Sequence, residues 1–394
     1  MLCLKGDSVE MKAVCINCSD HYEERTRHIE KALQLRGFVV THLVSDFNHG
    51  TKKKFKVDRD NVLQIKTFPY KKNLSFRRIV SHFLFAKKTY KVVKKMEPDL
   101  VYVLFPPNFV AKYMSKYRHK NNNVQLILDI FDLWPESLPK KRKGMLFSIF
   151  FKGWANLRNT SLPQADLLLT ECELFKSEIK SQVPSVTPHV LFIARDSMKA
   201  KIPDKIDTNQ INIAYLGFIN NIIDIDFICK LLAEINALKP VKLHIIGSGE
   251  QVDTFIDRVA KNGIEVEYHG RIYDFEEKKG IFDQCYFGLN IMKPSVKIGL
   301  TMKSVDYFQN GLPILNTIPA DTQEIVQNHN VGFNVSESNL SNVAKYISRM
   351  DETEVIKLKM NTLQFFEGNV STDVILNRAE ELFEKNNIKR GVSS

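Results

Sequence analysis

Short apolar runs alternate with longer segments of helical periodicity along the whole chain. In the first half, "MKAVCINCS" (11–19), "FVVTHLV" (38–44), "VLQIKTF" (62–68), "PDLVYVLFP" (98–106), "VQLILDIFD" (124–132) and "ADLLLTE" (165–171) have the length and composition of buried strands. Polar or amphipathic helical stretches separate them, including a long basic one over 75–95 and another from Cys172. A polar connector, residues 194–210, interrupts the rhythm, which then restarts. The second set of strands is "INIAYLG" (211–217), "VKLHIIGSG" (241–249), "IEVEYHG" (264–270), "CYFGLNIM" (285–292), "PILNT" (313–317) and "VGFNV" (331–335).

Strand–helix alternation of this kind predicts βαβ units and parallel sheets, and right-handed crossovers wind helices onto both sheet faces. A chain of 394 residues has room for two such domains. The expectation is an α/β protein with two doubly wound, Rossmann-like domains facing across a cleft. Residues 1–195 form the first domain and residues 211–370 the second. A C-terminal helix within 371–394 packs back on the first.

Ligands of such sheets bind where strands end at their carboxyl side. In the second half that rule selects Gly217 in "GFINN", Gly247 and Gly249 in "GSGE", and Gly270 with Arg271 and Ile272 in "HGRI". It also selects the loop "MKPSVKIGLT", which carries Lys297. Directly after it, "TMKSVDYFQN" (301–310) reads as one short helix that Gly311 and Pro313 stop. Met302, Val305 and Phe308 fall on one side of it, and Lys303, Asp306 and Asn310 on the other. The first amides of a helix are unpaired and carry partial positive charge, so a diphosphate fits there. Lys303 adds a full charge, and Asp306, one turn on, is placed to accept hydrogen bonds from a ribose diol. The competing reading of Lys303 and Asp306 is a solvent-exposed pair worth a few tenths of a kcal/mol.

The charge balance changes the picture of partners. A net charge of +11 and a pI near 9.1 imply an anionic partner. Basic and aromatic residues interleave over 68–95, and a basic cluster joins a short apolar run over 140–154. Such segments bind anionic membrane surfaces, at about 1 kcal/mol per basic residue. No nucleic-acid reading motif accompanies them, which disfavours a nucleic-acid partner. No apolar run reaches the length of a membrane span, and the N-terminus does not resemble a signal peptide, so a cytoplasmic location is expected. The six cysteines are scattered. The Cys15–Cys18 pair lies in a strand pattern with no second such pair, so buried thiols rather than a redox or zinc site are expected. "DID" (224–226) reads as helix surface, and no metal or cofactor is expected.

Two segments carry a family resemblance. "DIFDLWPESLP" (129–139), preceded by Pro106 and Pro107, and "MKSVDYFQNGLPIL" (302–315) resemble motifs of the bacterial family-4 glycosyltransferases with two Rossmann-like domains (the GT-B type), especially those of cell-surface polysaccharide assembly. The resemblance covers nearly the whole chain. It implies a retaining sugar transfer from a nucleoside diphosphate sugar, UDP-linked by preference, to a polyprenyl-linked or polysaccharide acceptor. It places the acidic Asp306 at the ribose and Lys303 near the donor phosphates. Asp132 and Glu136, flanking Trp134, would orient an acceptor hydroxyl, with loop hydrogen bonding and capping as the alternative; His21 is a weaker candidate. Two departures stand out: Asp306 replaces a Glu, and Ile298 stands where the family has its first acidic residue. The Arg and Lys common after the first strand of the second domain are missing from "GFINNIID", leaving Lys303 with Lys297 or Arg271 to neutralise the diphosphate. A nucleotide-sugar epimerase or a basic nucleic-acid-binding protein are the alternative functions.

Overall fold

Central parallel strands are covered on both faces and so become nearly continuous apolar runs. "LVYVLF" does this completely, with all six residues buried. The structure is a computed structural model and describes residues 10–19, 22–72, 75–137, 145–198 and 200–391. The chain divides into two compact units, residues 1–192 with 375–394, and residues 193–374.

Unit 1 runs β1 (Met11–Asn17), α1 (Glu23–Leu35), β2 (Phe38–Ser45), β3 (Val62–Ile65), α2 (Phe76–Met96), β4 (Leu100–Phe105), α3 (Asn108–Lys120), β5 (Gln125–Ile130), α4 (Met145–Asn159), β6 (Leu167–Thr170), α5 (Glu173–Gln182) and β7 (Pro188–Val190). The strands form one sheet in the order β3-β2-β1-β4-β5-β6-β7, every pairing parallel. β7 is absent from the sequence reading: three residues give no periodicity, and proline at its first position is tolerated only at a sheet edge. Alternate positions such as Val14, Ile16, Val101, Val103, Leu126 and Leu128 build the core with Phe85 and Met114 from the helices.

Unit 2 runs β8 (Ile211–Phe218), α6 (Ile225–Asn236), β9 (Val241–Ser248), α7 (Val252–Ala260), β10 (Glu265–Gly270), α8 (Phe275–Gln284), β11 (Phe287–Asn290), α9 (Met302–Gln309), β12 (Ile314–Asn316), α10 (Asp321–His329), β13 (Gly332–Asn334), α11 (Leu340–Arg349) and α12 (Glu352–Asn369). Its sheet is again parallel, in the order β10-β9-β8-β11-β12-β13. The strand order reverses direction between β8 and β11, which makes the loops after those two strands the ligand crevice of a doubly wound sheet.

The last helix, α13 (Thr372–Lys385), begins in unit 2, and from Ile375 onward the chain belongs to unit 1. Arg36 fixes this tail: its guanidinium donates to Glu380 Oε1 and to the Ile388 carbonyl, each at 2.6 Å. Among the described residues no helix is long and apolar enough to cross a membrane. Among the described cysteines, Cys15, Cys229 and Cys285 are free thiols.

Candidate functional site

The start of α9 sits at the strand-order reversal of unit 2, and it is built with unusual care. Thr301 is its N-cap; the Thr301 hydroxyl accepts from the Ser304 amide at 3.1 Å, and the Ser304 hydroxyl closes a reciprocal capping box. The same Thr301 hydroxyl donates to Asn290 Oδ1 at 2.9 Å. From there a buried chain of amides crosses three strands in register, Asn290 to Asn316 at 2.9 Å and Asn316 to Asn334 at 2.8 Å. Tyr307 locks the other face of the helix. Its hydroxyl accepts from the Leu216 amide at 2.7 Å, and its ring lies over Gly288, where a Cβ would come within 2.7 Å of it.

Lys303 projects from the first turn. Its ammonium is 4.4 Å from the centroid of the Tyr215 ring, sealed from solvent, and without a hydrogen-bond partner among the described residues. Burial pushes its pKa down from 10.5 to about 7. Asp306 lies one turn on. Its Oδ1 accepts from Arg195 Nε at 2.6 Å. The sequence reading puts no cation there, because Arg195 belongs to the polar connector, far from α9 in the chain. Met302, expected on the side of Val305 and Phe308, is instead exposed, while Val305 and Phe308 are buried. Met302 is the first residue of the helix, and its buried apolar side begins at Val305, one turn later.

The expected glycine loops converge. β8 and β9 pair to their ends, Gly217 with Gly247 and Phe218 with Ser248. Gly247 and Gly249 adopt φ of +152° and +156°, and a Cβ on either would lie within about 2.0 Å of a carbonyl oxygen of the β8 end, that of Gly217 or Ile219. Gly217 in turn lies beside the Lys303 side chain. Arg271, after Gly270, donates from Nε to Ser248 Oγ at 2.7 Å, tying the "HGRI" loop to the "GSG" loop. Ile272 is half-buried beside it. Lys297 and Ile298 are half-buried in the segment leading to α9, and Gly299 is pinned to α10 by the Thr322 amide and hydroxyl.

In unit 1 the residues flanking Trp134 are committed to the protein itself. Glu136 forms a bidentate pair with the fully buried Arg158, at 2.8 and 2.9 Å. Burial works to raise the Glu136 pKa, but the Arg158 hydrogen bonds and charge prevail and lower it. Asp132 accepts from Trp134 Nε1 at 2.6 Å and from the Ser137 hydroxyl; burial raises its pKa in spite of these bonds. These contacts tie both carboxylates into the loop after β5 and its neighbours. Tyr22 lies beside Asp132, Arg78 and His82 lie against Trp134, and Tyr70 and His49 follow behind His82, a grouping that no local pattern announces. His21 and the basic cluster at 140–143 lie outside the described residues.

Asp224 caps α6 by accepting from the Phe227 amide at 3.1 Å, and Asp226 is exposed and paired with Arg258, so "DID" is a helix start. Among the described residues, one group of metal-ligand type clusters: His244, Glu267 and His269. The two imidazoles are nearly coplanar, with His244 Nδ1 3.1 Å from His269 Nε2 and ring centroids 5.4 Å apart. The nitrogens therefore meet head-on, as in a hydrogen bond rather than a chelate, and Lys242 already holds Glu267 at 2.8 Å.

No curated protein matches the chain. Sucrose-phosphate synthase of Thermosynechococcus elongatus superposes with a TM-score of 0.72 at 12% identity, covering 95% of this chain and 98% of that one. The lipopolysaccharide outer core galactosyltransferase WaaB, apo form, gives 0.66 at 15% identity, with 95% and 99% covered. Anabaena HepE, solved in complex with UDP and glucose, gives 0.65 at 13% identity, with 95% and 100% covered. Residues 210–352, which hold α9 and the glycine loops, match the family model "Glycosyl transferases group 1", and the chain as a whole has the two-sheet fold of the GT-B type.

Proposed function

We propose that the protein transfers a sugar from a nucleoside diphosphate sugar, UDP-linked by preference, to a lipid-linked or polysaccharide acceptor in cell-surface glycan assembly. The observation that carries this reading is the Lys303 ammonium at the start of α9, buried over the Tyr215 ring with no hydrogen-bond partner among the described residues. A buried ammonium whose hydrogens find no acceptor is unfavourable, and an incoming diphosphate would supply acceptor oxygens and the opposite charge. The group 1 match over residues 210–352 and the UDP and glucose held by Anabaena HepE support the donor class.

In this reading the diphosphate gains negative charge as the sugar leaves. The capping box spends the amides of Thr301 and Ser304, which leaves those of Met302 and Lys303 to receive phosphate oxygens. These fixed dipoles and the Lys303 charge stabilise the leaving group without reorganising. Asp306, held by Arg195, offers Oδ2 to the ribose. Arg271 and the Ile272 backbone border the base. The resemblance implies retention of anomeric configuration, with the departing phosphate taking the acceptor proton and no divalent ion in the transfer. The acceptor binds unit 1 and is a polyprenyl-linked saccharide presented at an anionic membrane surface, the inner face of the plasma membrane. Exposed Phe76 and the lysines of α2 support that placement.

A thermal-shift panel with UDP, GDP, dTDP and CMP tests the donor. UDP stabilises the wild type and fails to stabilise Asp306→Ala. Stabilisation by none of the four would remove the basis of the reading.

A further inference from the structure

The hydrogen bonds that hold the start of α9 run in one direction. An asparagine amide can be turned end for end, so the direction of a relay of such amides must be set by a group that cannot turn. Here that group is the main chain of Ile318. Its amide donates to Asn316 Oδ1 at 3.0 Å, and its carbonyl accepts from Asn316 Nδ2 at 2.8 Å. Asn316 therefore turns its remaining lone pair to Asn290 Nδ2, at 2.9 Å, and its remaining N–H to Asn334 Oδ1, at 2.8 Å. Asn290 then has its Oδ1 toward Thr301. The Thr301 hydroxyl must donate to it, at 2.9 Å, and keeps a lone pair for the Ser304 amide, at 3.1 Å. At the far end Asn334 Nδ2 donates to the Gln323 carbonyl of α10 at 2.9 Å.

The middle of the relay is out of reach of water: Asn290 is 0% and Asn316 1% exposed. Asn316 spends both N–H groups and both lone pairs, and a fully satisfied polar network in the interior is rigid. Buried asparagines at strand ends are often plain hydrogen-bond filling. Filling does not require them, because the residues just before, Leu289 and Leu315, are fully buried and apolar, and apolar replacement of both partners of a buried hydrogen bond costs a fold little. What the asparagines add is control of the N-cap. A Thr301 hydroxyl turned toward Asn290 grips the first turn by its lone pair and stays clear of the Met302 and Lys303 amides.

We propose that Asn316 and Asn290 are positioning residues for the donor diphosphate. Anchored by Ile318, they fix the Thr301 cap and with it the direction in which the first α9 amides and Lys303 meet the phosphates. Neither asparagine touches the ligand. The inference rests on the transferase reading for the identity of that ligand, but not for the direction of the relay.

The test measures UDP affinity by calorimetry on full-length wild type, Asn290→Leu, Asn316→Leu and the double variant, with the folded fraction of each fixed by urea unfolding. Each single variant is expected to lose about 10-fold, the scale of one hydrogen bond. The double variant is expected to lose no more than the weaker single one, because a relay broken once is already broken. Losses that multiply, to about 100-fold in the double variant, would overturn the proposal, since independent packing defects add in free energy. So would unchanged UDP affinity in either single variant. A second pair reads the end of the relay and decides the matter if Asn316→Leu does not fold. Thr301→Val keeps the shape and must lose about 10-fold, whereas Thr301→Ser keeps the hydroxyl and must bind UDP as wild type does. Equal affinities in these two would overturn the proposal. Amide exchange over residues 300–310 of the ligand-free protein separates the relay from the ligand. Faster exchange in Asn316→Leu, in a protein whose wild type does not bind UDP, would keep the relay and remove the diphosphate and the transferase with it. Unchanged exchange would overturn the relay whatever UDP does.

Discussion

Arg195 donates to Asp306 across 111 residues of sequence, Nε to Oδ1 at 2.6 Å, with the two side chains only 13% and 21% exposed. The main chain holds the arginine in turn: its amide donates to the Val370 carbonyl at 3.2 Å, and its carbonyl accepts from Thr372 at 2.9 Å. The acid that the sequence offers to a ribose thus comes with a rigid cation. That cation fixes Asp306 Oδ1. Arg195→Met is expected to cost roughly 1–3 kcal/mol in urea unfolding, since the pair is mostly shielded from water. It is also expected to weaken UDP through loss of positioning, and unchanged UDP affinity would show that Asp306 needs no support.

Lys303 gives a pH signature. With its pKa near 7, the free protein carries mostly neutral lysine at pH 8, and in the proposed function a bound diphosphate would restore the charge. UDP binding at pH 8 is therefore expected to take up a fraction of a proton, read by calorimetry in two buffers of different ionisation enthalpy. Lys303→Met should abolish the uptake. The stability linkage has the opposite sense to that of a salt-bridged lysine. Between about pH 7 and 9 the unfolded chain binds the Lys303 proton and the folded chain does not, so this residue's contribution to stability rises with pH.

The placement of α9 depends on a glycine outside it. Gly288→Ala sets a methyl 2.7 Å from the Tyr307 ring, which is buried and bonded to Leu216 and cannot retreat. Overpacking of this kind costs roughly 1–3 kcal/mol. The expected result is a lower urea midpoint together with weaker UDP binding. A variant as stable as wild type would show that the helix has slack.

Glu136 separates a structural role from a catalytic one. Removing its carboxylate strands the Arg158 guanidinium, which is fully buried. Breaking such a pair costs about 3–5 kcal/mol. Glu136→Ala is expected to unfold several degrees lower yet keep the transfer rate per folded molecule within a few-fold at low temperature. A stable but inactive variant would return Glu136 to the chemistry.

Membrane contact is checked by vesicle sedimentation. Stronger binding to acidic than to neutral vesicles, reversed by salt, is the expected outcome. Equal binding to both would reject an electrostatic surface.

The sequence by itself determined the two parallel sheets and the position of α9. Strands buried on both faces must be apolar throughout, and a helix bounded by Thr301 and Gly311 carries its own stop signals, so both are local properties. It also placed the glycine loops; at Gly247 and Gly249 the close approach of the β8 end leaves no room for a Cβ. Only the tertiary structure decided which side chains face one another. Arg195 reaches Asp306, Asn290, Asn316 and Asn334 align across three strands, and His82 meets Trp134 through parallel-strand crossovers. These bring together residues tens to a hundred positions apart, with no periodicity to betray them. Glu136 and Asp132 show the converse. A carboxylate beside a tryptophan at a strand end suggests chemistry in one dimension. In three dimensions the buried Arg158 and the donors around Asp132 take up those oxygens, since a folded protein seldom leaves a buried cation or donor unpaired.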